Sequence, residues 1–361
     1  MKSILTFILL VTLVTGCKVH SGGHFAANIE PHPGSLGYVG DITDVKTKTR
    51  GAVVLMGGGK DVDSAFKWMI ERSGGGNAVV IRASGTAAYN PYIFGLGKLK
   101  SVETLLINTR ALADDPAVAQ VIRNAELLWI AGGDQADYMK FWKGTRTSAA
   151  LNYLLNEKKV PFGGTSAGCA ILGGIYYSGE EGSIVSDSAM INPFDKKVTL
   201  YNNDFLHAPF LRNVITDQHY LTRNREGRHV TFLARIINDW KIYPIGIAAN
   251  EKTAVCIDDL GHAKVIGDSK AYFIISDKSK TPEIITPGRA LRWVDGNQAL
   301  RVYEIQGTGA GKGYFPVNDI KVDKALGGEW YWWWTENGKL FKQQIAVTSH
   351  VLNRRGDGVK K

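Results

Sequence analysis

Ser166 stands in Gly164-Thr165-Ser166-Ala167-Gly168, a G-x-S-x-G pattern that would make its hydroxyl a nucleophile. In such an elbow a strand enters a sharp turn and leaves as a helix. The serine backbone is strained at the apex and its neighbours must be small. With 41 glycines in 361 residues, roughly 0.2 matches are expected by chance, so the motif needs support elsewhere. A serine hydroxyl is a poor nucleophile near neutral pH without a base in hydrogen-bond reach and a third group to orient that base. Beyond the amino-terminal stretch the candidate bases are His207, His219, His229, His262 and His350. His219 ends a short apolar segment, residues 214–220, as a side chain presented to a cleft by a strand tip would. Arg223, Arg225 and Arg228 follow it, and a basic solvated loop with a surface histidine is the alternative reading.

The elements that must position these groups alternate along the chain. Residues 51–56 read as a strand buried on both faces, followed by Gly57-Gly58-Gly59 and an amphipathic stretch over 62–72. The glycines lack a Walker lysine and a complete G-x-G-x-x-G, so they read as a tightly packed turn rather than a phosphate cradle. Residues 78–83, 102–108 and 126–131 read as strands, and 89–99, 116–124, 138–142 and 148–156 as helices. This spacing predicts parallel strands joined by right-handed crossovers. The strand over 126–131 breaks at Gly132-Gly133-Asp134-Gln135. In an open parallel sheet ligands bind at the carboxyl ends of strands, so this break belongs on the same edge as Ser166 and offers a backbone N–H.

Composition bounds the function. The chain is 44% hydrophobic with a formal charge of +9, but Lys and Arg are dispersed and no nucleic-acid-binding module accompanies them, which argues against nucleic acid. Three cysteines give no even disulfide framework and no metal-ligand spacing; Cys169 and Cys256 read as buried thiols. Residues 1–16 have the short positive start and apolar run of a secretory signal. Val14-Thr15-Gly16-Cys17 resembles the bacterial lipobox, which implies that Cys17 is lipidated and the protein tethered to a membrane of the cell envelope, the outer one where the host has it; an ordinary cleaved signal is the alternative. Residues 17–48 read as a tether and entry loop, with His20, His24 and His32 solvated.

Three separated motifs in order carry a more specific likeness. Gly132-Gly133-Asp134-Gln135, the Ser166 elbow, and Asp217-Gln218-His219 with Arg223, Arg225 and Arg228 resemble the cyanophycinases, serine peptidases related to the aspartyl dipeptidase peptidase E. The likeness covers roughly residues 51–257. It implies a class I glutamine-amidotransferase-like fold: a three-layer, doubly wound, mostly parallel α/β sheet, here with a β-rich carboxyl-terminal extension. It also implies a catalytic glutamate opening a strand downstream of the histidine, and Glu251 matches that place. The order Ser166, His219, Glu251 is not that of α/β-hydrolases. The resemblance further implies aspartyl-directed cleavage, with Gln135, Asp217, Gln218, Arg223, Arg225 and Arg228 binding an aspartate-containing peptide or shaping its pocket. The N–H groups of Ala167 and of Gly132 or Gly133 would form an oxyanion hole, and no metal or organic cofactor is called for. Tyr220 and His229 depart from the Phe and Leu more frequent in the family, and residues 178–213 show no match.

The expected organisation is a signal over 1–16, the tether over 17–48, a catalytic domain over 49–307 and an aromatic-rich extension over 308–361, in which residues 329–334 read as a strand packing alternate aromatics against the body. A homodimer is left open. The reading is a lipid-anchored cyanophycinase-like serine exopeptidase that releases β-aspartyl-arginine dipeptides; its rivals are a peptidase E-like or β-aspartyl dipeptidase and a catalytically idle peptide-binding lipoprotein.

Overall fold

Strands buried on both faces need continuous apolar runs, and the centre of the molecule is built from such runs. The computed structural model describes residues 32–319 and 324–346; the signal, Cys17, His20, His24 and His350 lie outside them. The edge strand β1 (Ser35–Gly40) precedes β2 (Ala52–Met56), β3 (Asn77–Arg82), β4 (Ser101–Leu106), β5 (Leu127–Ile130) and β6 (Pro161–Thr165). These alternate with α1 (Asp63–Ser73), α2 (Tyr89–Phe94), α3 (Arg110–Ala113), α4 (Pro116–Asn124), α5 (Gln135–Trp142) and α6 (Arg146–Tyr153). The start of α4 is fixed locally: Asp115 Oδ1 accepts from the Ala117 N–H at 2.7 Å and Pro116 fills the first helical position. Helix α2 stops at Phe94, short of the expected 99, because Gly95 and Gly97 lie across the continuing pattern.

After β6 come α7 (Ala167–Ala170), β7 (Ile175–Tyr177), α8 (Ser186–Ile191), β8 (Leu200–Asn202), β9 (Val214–Asp217), α9 (Glu226–Trp240) and β10 (Ile245–Ala249). The rest is strands: β11 (Thr253–Asp258), β12 (His262–Gly267), β13 (Lys270–Ile275), β14 (Leu300–Gln306), β15 (Gly313–Pro316), β16 (Gly328–Glu336) and β17 (Lys339–Gln344).

The fold is mixed α/β with two large sheets, where the sequence predicted one. The first runs β1-β4-β3-β5-β6-β2-β11-β12-β15, and its five strands from β4 to β2 are parallel. The second runs β17-β16-β14-β13-β10-β9-β7-β8 and is mostly antiparallel. Val54, Met56, Val80 and Trp129 bury one face of the first sheet under α1 and α2. Its other face, through Val53, Leu55, Ile81 and Leu128, shares a core with α4, α5 and α6 and with Ile247, Phe273 and Ile305 of the second sheet. Helices α8 and α9 cover the far side of the second sheet, where Trp333 is fully buried.

Two further expectations change. Within the expected tether, β1 pairs with β4, and His32 is half-buried, bonding through Nδ1 to the buried Glu103 carboxylate at 2.9 Å. The expected extension is built into both sheets: β15 pairs with β12, and β16 pairs with β14. The aromatic run of β16 packs Trp333 inward, while Trp330 and Trp332 flank the Arg301 guanidinium. Among the described residues no helix is long and apolar enough to cross a membrane, and no group of three or more His, Cys, Asp or Glu is arranged to hold a metal ion.

Candidate active site

The elbow forms because two glycines allow it. A Cβ on Gly164 would lie 2.6 Å from the Gly168 carbonyl carbon, and one on Gly168 would lie 2.4 Å from the Ile130 carbonyl oxygen. At the end of β6 Ser166 adopts φ 54° and ψ −117°, a conformation that costs a non-glycine residue on the order of 1–3 kcal/mol. That strain turns the hydroxyl out of the sheet toward His219.

Ser166 Oγ lies 2.8 Å from His219 Nε2, and His219 Nδ1 lies 2.6 Å from Glu251 Oε1. A carboxylate can only accept, so Nδ1 carries the proton and Nε2 is left to accept from the serine. Burial lowers the His219 pKa below 6.5, and the positive charges of Arg223 and Arg225 push the same way against the raising effect of Glu251. The imidazole is neutral near pH 7, the form a general base requires. The other histidines are placed elsewhere: His207 is exposed, His262 pairs with Asp258, and His229 is buried against the Tyr220 hydroxyl. Burial pushes the Cys169 and Cys256 thiols up, the latter to about 12, so neither supplies a thiolate.

The candidate nucleophile and base come from different sheets. Ser166 ends β6 of the first; His219 follows β9, and Glu251 follows β10, of the second. The Gly57-Gly58-Gly59 turn stitches the two together. The His219 N–H donates to the Gly57 carbonyl at 2.8 Å, and the Lys252 N–H, in the link from β10 to β11, donates to the Gly58 carbonyl at 3.0 Å. A Cβ on Gly58 would lie 2.3 Å from His219 Cε1, and one on Gly59 would lie 2.9 Å from Glu251 Oε2. Thr216 Oγ1 closes the seam from β9 by donating to the Cys169 carbonyl at 2.8 Å.

Asn250 holds the loop that follows His219. Its Oδ1 accepts from the Leu221 and Thr222 N–H groups at 3.0 Å each and from the Thr222 hydroxyl at 3.1 Å, while its Nδ2 donates to Ser269 Oγ at 3.0 Å. Neither this role nor that of the first glycine turn is read from the sequence. The signal for the glycines was three in succession at the carboxyl end of a buried strand.

Around the serine, Gly132 lies close by: a Cβ there would lie 3.5 Å from Ser166 Cβ. Ala167 begins α7, so its N–H has no acceptor within the helix. Gly133 is one residue further, against the Tyr138 hydroxyl. Gln135 opens α5, half-buried and close to Gly179, and Arg223 is exposed. The other expected substrate contacts point inward. Asp217 and Arg228 are each 1% exposed and form a two-pronged pair, Nε to Oδ2 at 2.8 Å and Nη2 to Oδ1 at 2.5 Å. Although burial opposes it, the Arg228 charge, with Arg225 behind, holds the Asp217 carboxyl below 3.8. Arg225 Nη1 donates to the Gln218 carbonyl at 2.9 Å, and Arg228 Nη1 to that of Ile184 at 3.1 Å. These four residues brace the His219 loop from beneath, and the unmatched stretch over 178–213 supplies part of the wall through Ile184 and Ser186.

The family model for peptidase family S51 matches residues 53–265. The chain belongs to peptidase family S51. Curated relatives include the cyanophycinase of Synechococcus elongatus, 28% identical over 247 residues covering 65% of this chain and 67% of the relative. The cyanophycinase of Geminocystis herdmanii is 24% identical, covering 62% of this chain and 80% of the relative. A solved peptidase from an acI-B1 actinobacterium is 19% identical, covers 62% of this chain and 91% of that one, and superposes with a TM-score of 0.44. As an S51 member the protein is a serine-type peptidase, a hydrolase.

Proposed function

We propose that this S51 peptidase is a lipid-anchored, cyanophycinase-like exopeptidase that hydrolyses aspartyl peptide bonds through an acyl-enzyme. One observation carries the reading: an unbroken hydrogen-bonded path from Ser166 Oγ through the His219 ring to Glu251 Oε1, at 2.8 and 2.6 Å. Ser166 Oγ attacks the substrate carbonyl as its proton passes to His219 Nε2. The C–N bond then breaks as that proton moves to the leaving amine. Water gives a proton to the same nitrogen and attacks the ester; the ester C–O bond then breaks as that proton returns to Ser166 Oγ, which frees the acid. Glu251 holds the imidazole in the tautomer both steps require. The Ala167 N–H, with that of Gly132 or Gly133, receives the developing oxyanion; each such donor is typically worth about 3 kcal/mol in the transition state.

The likeness to cyanophycinases supports a poly-aspartate substrate carrying arginine, with β-aspartyl-arginine as product. The parallel strands and their helices support a class I glutamine-amidotransferase-like core carrying a β-rich carboxyl-terminal part. Cys17 at the end of the signal supports lipidation and a place in the cell envelope.

Purified protein is incubated with cyanophycin and with aspartyl dipeptides beside Ser166→Ala. Dipeptide release from the polymer, lost in the variant, is the expected result. Cleavage of dipeptides alone favours the peptidase E-like alternative, and turnover of neither favours a peptide-binding lipoprotein. Fatty-acid labelling that disappears in Cys17→Ser tests the anchor.

A further inference from the structure

The cations expected to read an acidic substrate are largely committed: Arg228 is buried on Asp217, and Arg225 is braced on the Gln218 carbonyl. Two others stand at the mouth of the site. A cavity of about 460 Å³ lies between the turn after β2 and the loop after β3, lined by Gly59, Lys60, Asp61, Arg82, Tyr89 and Tyr92 among others. In the first sheet β5 and β6 lie between β3 and β2, so these two loops flank the strand ends that carry Gly132 and Ser166. The flanks touch the machinery. Gly59 backs onto the Glu251 carboxylate, and a Cβ on Gly133 would lie 3.6 Å from Ser84 Oγ in the loop after β3.

Arg82 is built into that loop. Its Nε donates to the Ser84 carbonyl and its Nη1 to that of Thr86. The chain wraps so closely that a Cβ on Gly85, at φ +104°, would lie 2.1 Å from Arg82 Nη2. Backbone carbonyls fix the guanidinium without neutralising it. Neither Arg82 nor Lys60 has an ion-pair partner among the described residues. The carboxylate on the same wall, Asp61, is hydrogen-bonded to the Tyr89 hydroxyl, and burial raises its pKa.

A half-buried, pre-oriented guanidinium with an exposed lysine lining the same cavity is an arrangement suited to a carboxylate. We propose that Arg82 and Lys60 form the subsite that binds the free carboxylate on the side chain of the acyl residue, that of aspartate itself in an aspartyl dipeptide and that of the attached arginine in the polymer, and so set the preference for acidic over neutral acyl residues. The inference rests on the peptidase reading above and deepens it.

The test uses the full chain with aspartyl dipeptides and their asparaginyl counterparts. Arg82→Met is expected to lower kcat/KM on the aspartyl substrate about 10- to 100-fold, the weight of one charge-assisted contact, and to change the asparaginyl value little. Lys60→Met acts in the same direction more weakly, and Arg82→Lys restores part of the preference. Equal losses on both substrates, or none, overturn the proposal while leaving the serine chemistry standing. A binding measurement separates the two ideas. Ser166→Ala is titrated with both peptides, and a preference for the aspartyl one that disappears in Ser166→Ala/Arg82→Met supports the subsite even if the wild type cleaves neither. Equal or absent binding of both overturns it.

Discussion

Asp217 and Arg228 face one another with both carboxylate oxygens engaged and neither side chain open to water. Removing one partner of such a pair strands a buried charge, which typically costs about 3–5 kcal/mol, whereas replacing both with apolar residues costs far less. Asp217→Ala and Arg228→Met are each expected to lower unfolding free energy by that amount in urea titrations, and Asp217→Leu/Arg228→Met to recover most of it. A single variant of wild-type stability would show that the pair braces nothing.

The acid limb of kcat/KM reports His219. Its pKa is lowered, so the imidazole stays neutral, and the rate stays high, to a pH below 6.5 before protonation removes the base. Arg223 contributes to that depression from an exposed position. In Arg223→Met the limb is expected to move to higher pH, whatever happens to KM. A limb that stays in place or moves down contradicts the assignment.

Asn250 touches no reacting atom yet fixes the loop that carries the base. Losing three hydrogen bonds lets the imidazole stray, and each lost 1.4 kcal/mol of transition-state alignment is about tenfold in rate. Asn250→Ala is expected to lower kcat about 10- to 100-fold with KM within about twofold. Asn250→Asp, which keeps the acceptor, should retain more activity. Parallel losses in kcat and in folded fraction would reduce Asn250 to a packing residue.

His229 ties stability to pH. Burial holds its pKa down at about 4, while the unfolded chain titrates near 6.5, so between these values the unfolded state binds more protons. Stability is full above pH 6.5 and is expected to fall by on the order of 3 kcal/mol as pH drops to about 4. Asp217, with its pKa held below 3.8, adds a loss only at lower pH. In denaturant titrations from pH 7 to 4.5, His229→Gln should flatten the slope; an unchanged slope assigns it to other groups.

The first sheet was legible because strands covered on both faces leave continuous apolar runs, as over 52–56 and 127–130. The elbow was legible because its glycines are demanded by contacts within and beside the motif itself. The second sheet was legible only in part: the aromatic run over 329–334 reads as a strand and is β16, but β7 and β8 have three residues each and β9 four, too few to display a period. Gly58 could not be assigned to His219, since the two meet only after 160 intervening residues have folded. Nor does the spacing of Arg223, Arg225 and Arg228 distinguish an exposed arginine from a buried one. That distinction depends on where α9 turns its first helical residues against β9.

Because Ser166 belongs to one sheet and His219 with Glu251 to the other, the 2.8 Å between serine and histidine is a gauge of how the two sheets are docked. A shear of one ångström along the glycine seam would break that contact while every strand and helix remained intact. Chemistry should therefore vanish on warming ahead of any change in secondary structure.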